Sequence, residues 1–98
     1  MLKKQLLKSK PVCKVTFILP EAIQAENAAV IGDFNGWNRN ATPMTALKSG
    51  GFKVTVDLEA GQRYEFRYVV NGSETHNDWQ ADAYVPNPYG SDNSVVLT

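Results

Sequence analysis

From residue 12 onward the chain alternates apolar and polar residues with a period of two, the pattern of half-buried strands. Cys13, Val15, Phe17 and Leu19 fall on one face, and Lys14, Thr16 and Ile18 fall on the other. Pro20 ends that run by removing a ladder donor. A short strand is expected over Ala28 to Gly32. A longer one follows Gly50-Gly51, with Phe52, Val54, Val56 and Leu58 turned inward. After the Ala60-Gly61 turn, Tyr64, Phe66, Tyr68 and Val70 share a core face, leaving Glu65, Arg67 and Val69 on the opposite one. Asn71-Gly72 is the strongest hairpin signal, because both residues tolerate positive φ. The stretch from 77 to 93 is polar, with Pro86 and Pro88 expected to block regular pairing; Ser94 to Thr98 reads as a closing strand. Glu21 to Ala29 is short for a helix. The expectation is an all-β, immunoglobulin-like sandwich of about seven antiparallel strands.

At 98 residues, 43% of them hydrophobic, the chain suffices for one domain with a real core. The boundaries drawn are a basic N-terminal tail over 1–11 and a β-sandwich domain over 12–98. Lys3, Lys4, Lys8, Lys10 and Lys14 crowd the start, although the formal net charge is zero. That tail reads as a solvated leader. It has no continuous apolar stretch for a secretion signal, and no segment reaches membrane-spanning length, so the expected location is cytoplasmic. A basic tail on an acidic body does not suit a nucleic-acid reader, which needs a basic folded face. Cys13, the single cysteine, excludes an internal disulfide and a zinc site of cysteine pairs, and its parity turns it inward.

Catalytic signals are sparse. His76 is the lone histidine and sits in a polar loop. No Ser-His-Asp or Cys-His set can be assembled, and no glycine loop leads into a helix to cradle phosphate. Asp78 and Asp82 could form a glycosidase carboxylate pair, but they read better as surface acids. No catalytic residue, metal ligand or cofactor is expected. The informative anomaly is aromatic: Trp37, Trp79, Tyr84 and Tyr89 lie among Asn, Asp, Gly and Pro, where burial is hard to arrange. A flat aromatic face stacks on the C–H face of a pyranose, and nearby polar groups can bond its hydroxyls. Each of these aromatics could equally anchor its own loop.

Three motifs carry a family resemblance. Ile31-Gly32-Asp33-Phe34-Asn35-Gly36-Trp37, Phe66-Arg67-Tyr68-Val69-Val70-Asn71-Gly72 and Tyr89-Gly90-Ser91-Asp92-Asn93-Ser94-Val95-Val96 follow one another in order. Together they resemble the family-48 carbohydrate-binding modules. That family includes glycogen-binding domains of AMP-activated kinase β subunits and N-terminal early-set domains of isoamylases and branching enzymes. The resemblance implies that Trp37 stacks on glucose and that Arg67 hydrogen-bonds the sugar. It implies that Tyr89 widens the platform, and that Ser91 and Asn93 contact hydroxyls. One departure stands out. The kinase module has a second stacking tryptophan just past the hairpin, where this chain has Ser73-Glu74-Thr75-His76. Either Trp79 substitutes from a longer loop, or half of the platform is lost.

The expected function is therefore non-catalytic binding of α-1,4-linked glucan chains through Trp37, Arg67, Trp79, Tyr89, Ser91 and Asn93. The alternative is a regulatory early-set domain that docks on an α-glucan-metabolising enzyme. No nucleic-acid or membrane partner is expected.

Overall fold

Each alternating segment pairs antiparallel with another, and the strands sort into two sheets. The computed structural model describes residues 1–98. Strands β1 (Leu2–Leu6), β2 (Val12–Leu19), β5 (Phe52–Glu59) and the two-residue β4 (Thr45–Ala46) form one sheet in the order β1-β2-β5-β4. Strands β3 (Ala28–Gly32), β6 (Arg63–Val70), β9 (Asp92–Leu97) and β8 (Ala83–Pro86) form the other, in the order β3-β6-β9-β8, and β7 (Glu74–His76) pairs with the end of β6. This is the all-β immunoglobulin-like sandwich expected from the alternation.

The two inner faces make the core. Cys13, Val15, Phe17 and Leu19 of β2 are buried, as their parity requires. They meet Phe66, Tyr68 and Val70 of β6, and the Phe17 and Phe66 rings pack edge to face with centroids 5.0 Å apart. Losing either ring would cost about 3–5 kcal/mol, the usual range for an aromatic deleted from a packed interior. The β6–β7 hairpin turns through Asn71 and Gly72, both left-handed at φ 53° and 75°.

Two segments differ from the sequence expectation. The basic start is not a free leader: Leu2 to Leu6 pair with Cys13 to Phe17, and Leu2 packs against the core. Its lysines obscured the strand because β1 is an edge, and a lysine-rich edge is how sheets resist further pairing. The proline-containing stretch also pairs, since Ala83 to Pro86 lie against Asp92 to Val95. Pro86 is tolerated because β8 is the outermost strand, where a missing N–H need not break a ladder.

Candidate functional site

Trp37 is held by a loop whose sequence is almost fully accounted for by geometry. At Gly32 a Cβ would fall 2.6 Å from the Glu65 carbonyl and 2.9 Å from Phe66 Cβ, so only glycine lets β3 lie this close to β6. Asp33 to Asn35 make one 3-10 turn. Asp33 accepts the Glu65 backbone N–H (2.8 Å) with one oxygen and the Trp37 indole N–H (3.2 Å) with the other. Asn35 accepts from the Gly32 N–H and donates to the Val30 carbonyl and the Thr42 hydroxyl. Phe34 packs against Phe17 and Tyr64. Gly36 and Trp37 are then both left-handed, at φ 66° and 60°. For tryptophan that conformation costs about 1–2 kcal/mol. It leaves the indole half-buried beside the outer face of the β6 sheet.

Arg67 lies on that outer face, opposite Ile31 of β3. Its guanidinium works as a clasp. Nη1 donates to Ser91 Oγ (3.0 Å) and to the Asp92 carbonyl, and Nη2 donates to Thr75 Oγ1 (3.2 Å). The resemblance implied an arginine bonding sugar, yet most of its donors are committed within the fold, and the Nε–H is buried without a partner. The turn after β8 is organised by Asn87, whose Oδ1 accepts the N–H groups of Tyr89 (2.9 Å) and Ser91 (3.2 Å). Asn87 Nδ2 donates to Asn93 Oδ1, and Asn93 Nδ2 donates to Glu65. Tyr89 stands at the tip, 91% exposed.

These parts enclose an open groove of about 600 Å³ on the outer face of the sheet. Trp37, Arg67, Tyr89, Ser91 and Asn93 all line it; Trp79 does not. Trp79 is 59% exposed and sits on a turn tied to β8, where the Tyr84 hydroxyl bonds the Asp78 carbonyl and the Ala81 N–H. Sequence reasoning missed Arg39, Thr75 and Asn87, which also line the groove. The Asn87-Pro88-Tyr89-Gly90 turn signature was available to reveal Asn87. Arg39 and Thr75 carry no local signal.

The carboxylates considered for hydrolysis lie outside the groove. Asp78 is not a surface acid: it is 2% exposed and accepts the Tyr68 hydroxyl (2.5 Å), the Met1 amino group (2.7 Å) and the Gln80 N–H (2.7 Å). Burial first, then the charge and hydrogen bond of Asp78, raise the Tyr68 phenol above its ordinary range. Asp82 is paired with Lys4 at 2.7 Å and accepts the Leu97 N–H. No cluster of three or more His, Cys, Asp or Glu is placed to hold a metal ion. No helix is long and apolar enough to cross a membrane.

The family model described as "Carbohydrate-binding module 48 (Isoamylase N-terminal domain)" matches residues 15–85. A "1,4-alpha-glucan branching enzyme GlgB" of Nocardia farcinica is 44% identical over 53 residues, covering 54% of this chain and 7% of that protein. One of the same name from Corynebacterium jeikeium is 32% identical over 78 residues, covering 78% of this chain and 11% of that protein. The chain thus spans about a tenth or less of the length of these relatives.

Proposed function

The chain belongs to the carbohydrate-binding module 48 family, and on that premise we propose that it is a non-catalytic module that binds α-1,4-linked glucan chains. The observation that supports this reading is convergence. Trp37, Arg67, Tyr89, Ser91 and Asn93 come from separate segments and line one groove. The groove combines an indole, a phenol ring and several amide and hydroxyl groups, the mixture a neutral polyhydroxylated ring requires. Arg67 acts here chiefly by fixing the 91–92 backbone beside the indole, with its remaining Nη2 hydrogen free for a sugar oxygen.

Titration of the labelled domain with maltoheptaose, followed by amide and indole NMR, tests the reading. Saturable shifts should cluster on Trp37, Arg67 and residues 87–93. Trp37→Ala should keep a folded spectrum and lose about five- to tenfold in affinity, since a stacked aromatic contributes ~1 kcal/mol beyond its buried area. A folded Trp37→Ala protein that binds maltoheptaose normally would refute the proposal.

A second reading, docking on an α-glucan-metabolising enzyme, is favoured by the exposed Trp79 and Tyr84, which stand apart from the groove. It requires co-purification with such an enzyme that Trp79→Ala abolishes. An unchanged pull-down with that variant would reject it.

A further inference from the structure

The outer face of the sheet carries a second cleft beside the first. Ala29 pairs with Val69 two residues along from the Ile31–Arg67 pair, a step of about 7 Å at the usual strand rise. Ala29 and Val69 line a cleft of about 370 Å³ together with Asn27, Asn40, Pro43 and Gly72. Arg39 lines both clefts, and its Nη1 lies 3.4 Å from the Gly72 carbonyl, so its side chain marks the boundary between them. Both volumes fall within the ~300–1,000 Å³ typical of small-molecule sites.

The chemistry of the second cleft is narrow. Arg39 is its only charged residue, and Ala29 and Val69, both buried, close its base. The Asn27 and Asn40 carboxamides take part in none of the fold's hydrogen bonds, while the backbone N–H groups of the same residues are held by Asn71 Oδ1 and Asn38 Oδ1. A neutral, polyhydroxylated ring suits a rim of two carboxamides; a dianion would meet only one cation. We propose that this cleft is a second sugar subsite continuous with the first. One glucan chain then runs from Trp37 past Arg39 onto Ala29 and Val69, with Asn27 and Asn40 bonding its hydroxyls. The inference rests on the α-glucan reading above and extends it to chain length as the selected property.

The test compares maltotriose with maltoheptaose on the wild-type domain and on the Asn27→Ala/Asn40→Ala double variant. Maltoheptaose should bind the wild type about tenfold more tightly than maltotriose and shift the amides of residues 27–29, 40 and 72. The double variant should lose about fivefold for maltoheptaose and nothing for maltotriose. Ala29→Leu, which fills the cleft from its floor, should reproduce that loss by a different route. Maltoheptaose shifts confined to Trp37, Arg67 and residues 87–93, with unchanged affinity in both variants, overturn the second subsite and leave the first intact. Absence of any shift with either sugar overturns the α-glucan reading, and this inference with it.

Discussion

Replacing Tyr68 by phenylalanine removes one hydroxyl from the interior and leaves the ring in place. The residue is fully buried, and its hydroxyl donates to Asp78 Oδ2 at 2.5 Å. A hydrogen bond to a charged group contributes about 1.5–3 kcal/mol, so the variant should be less stable by that amount at neutral pH. The deficit should depend on pH in one direction only. An unfolded tyrosine loses its proton at about pH 10. The folded Tyr68 keeps its proton beyond that, because burial and the neighbouring carboxylate oppose the phenolate. Below pH 10 both states are protonated and the stabilisation is complete. Above it the unfolded state holds fewer protons, so stability falls by about 1.4 kcal/mol per pH unit from this residue alone. The phenylalanine variant lacks that loss. The wild-type advantage should therefore be constant from pH 7 to 9, shrink above pH 10, and vanish roughly between pH 11 and 12. Urea unfolding of both proteins at a series of pH values measures the difference, and it cancels the lysines common to both. An advantage that stays constant through pH 11.5 would refute the reasoning.

The strained loop makes a second expectation. Trp37→Gly should be more stable than Trp37→Ala by about 1 kcal/mol, or ~4–8 °C in Tm for a domain of this size, because alanine retains the positive-φ penalty that glycine escapes; equal melting temperatures would deny the strain. Gly32→Ala should destabilise by about 1–3 kcal/mol in denaturant titration, since its Cβ must displace the Glu65 carbonyl. Arg67→Lys cannot reproduce the fork to Ser91, Asp92 and Thr75. It should raise hydrogen exchange in residues 87–92 while changing global stability by less than about 1 kcal/mol, as expected for a half-exposed surface contact.

How much was legible in the sequence follows from how local each signal is. Parity alone places Phe17, Phe66 and Tyr68 inside and Arg67 outside, because a strand leaves a side chain only two directions. Turn chemistry locates the Asn71-Gly72 hairpin for the same reason. What failed was non-local. Nothing near Asp78 in the chain announces that Tyr68 will reach it, so a buried, triply bonded carboxylate read as a surface acid. Lys3 and Lys4 concealed β1 because an edge strand shows little apolar alternation. In the groove, Trp37 and Tyr89 were visible as aromatics stranded among turn formers. Arg39 and Thr75 became visible only when β6, β7 and the loop after Trp37 met in space.

The groove also separates two things that the Gly32-Asp33-Phe34-Asn35-Gly36-Trp37 motif combines. Gly32, Asp33, Phe34 and Asn35 are explained by contacts within the fold: a close strand approach, a bridge to Glu65, a ring in the core, and a pinned loop. Of that motif only Trp37 lines the groove. The other wall, Asn87 to Asn93, lies beyond the residues 15–85 that match the family model. The family match therefore covers the scaffold and one wall of the groove, and the facing wall lies outside it. Arg67 joins the two physically, since it is rooted in the matched β6 strand and bonded to Ser91 and Asp92. A domain with Arg67 removed should keep its sandwich and lose the register between its two aromatic platforms. Loss of maltoheptaose affinity should then accompany motion of residues 87–92 while the spectrum of the core stays unchanged, a pattern that direct sugar bonding by Arg67 alone would not produce.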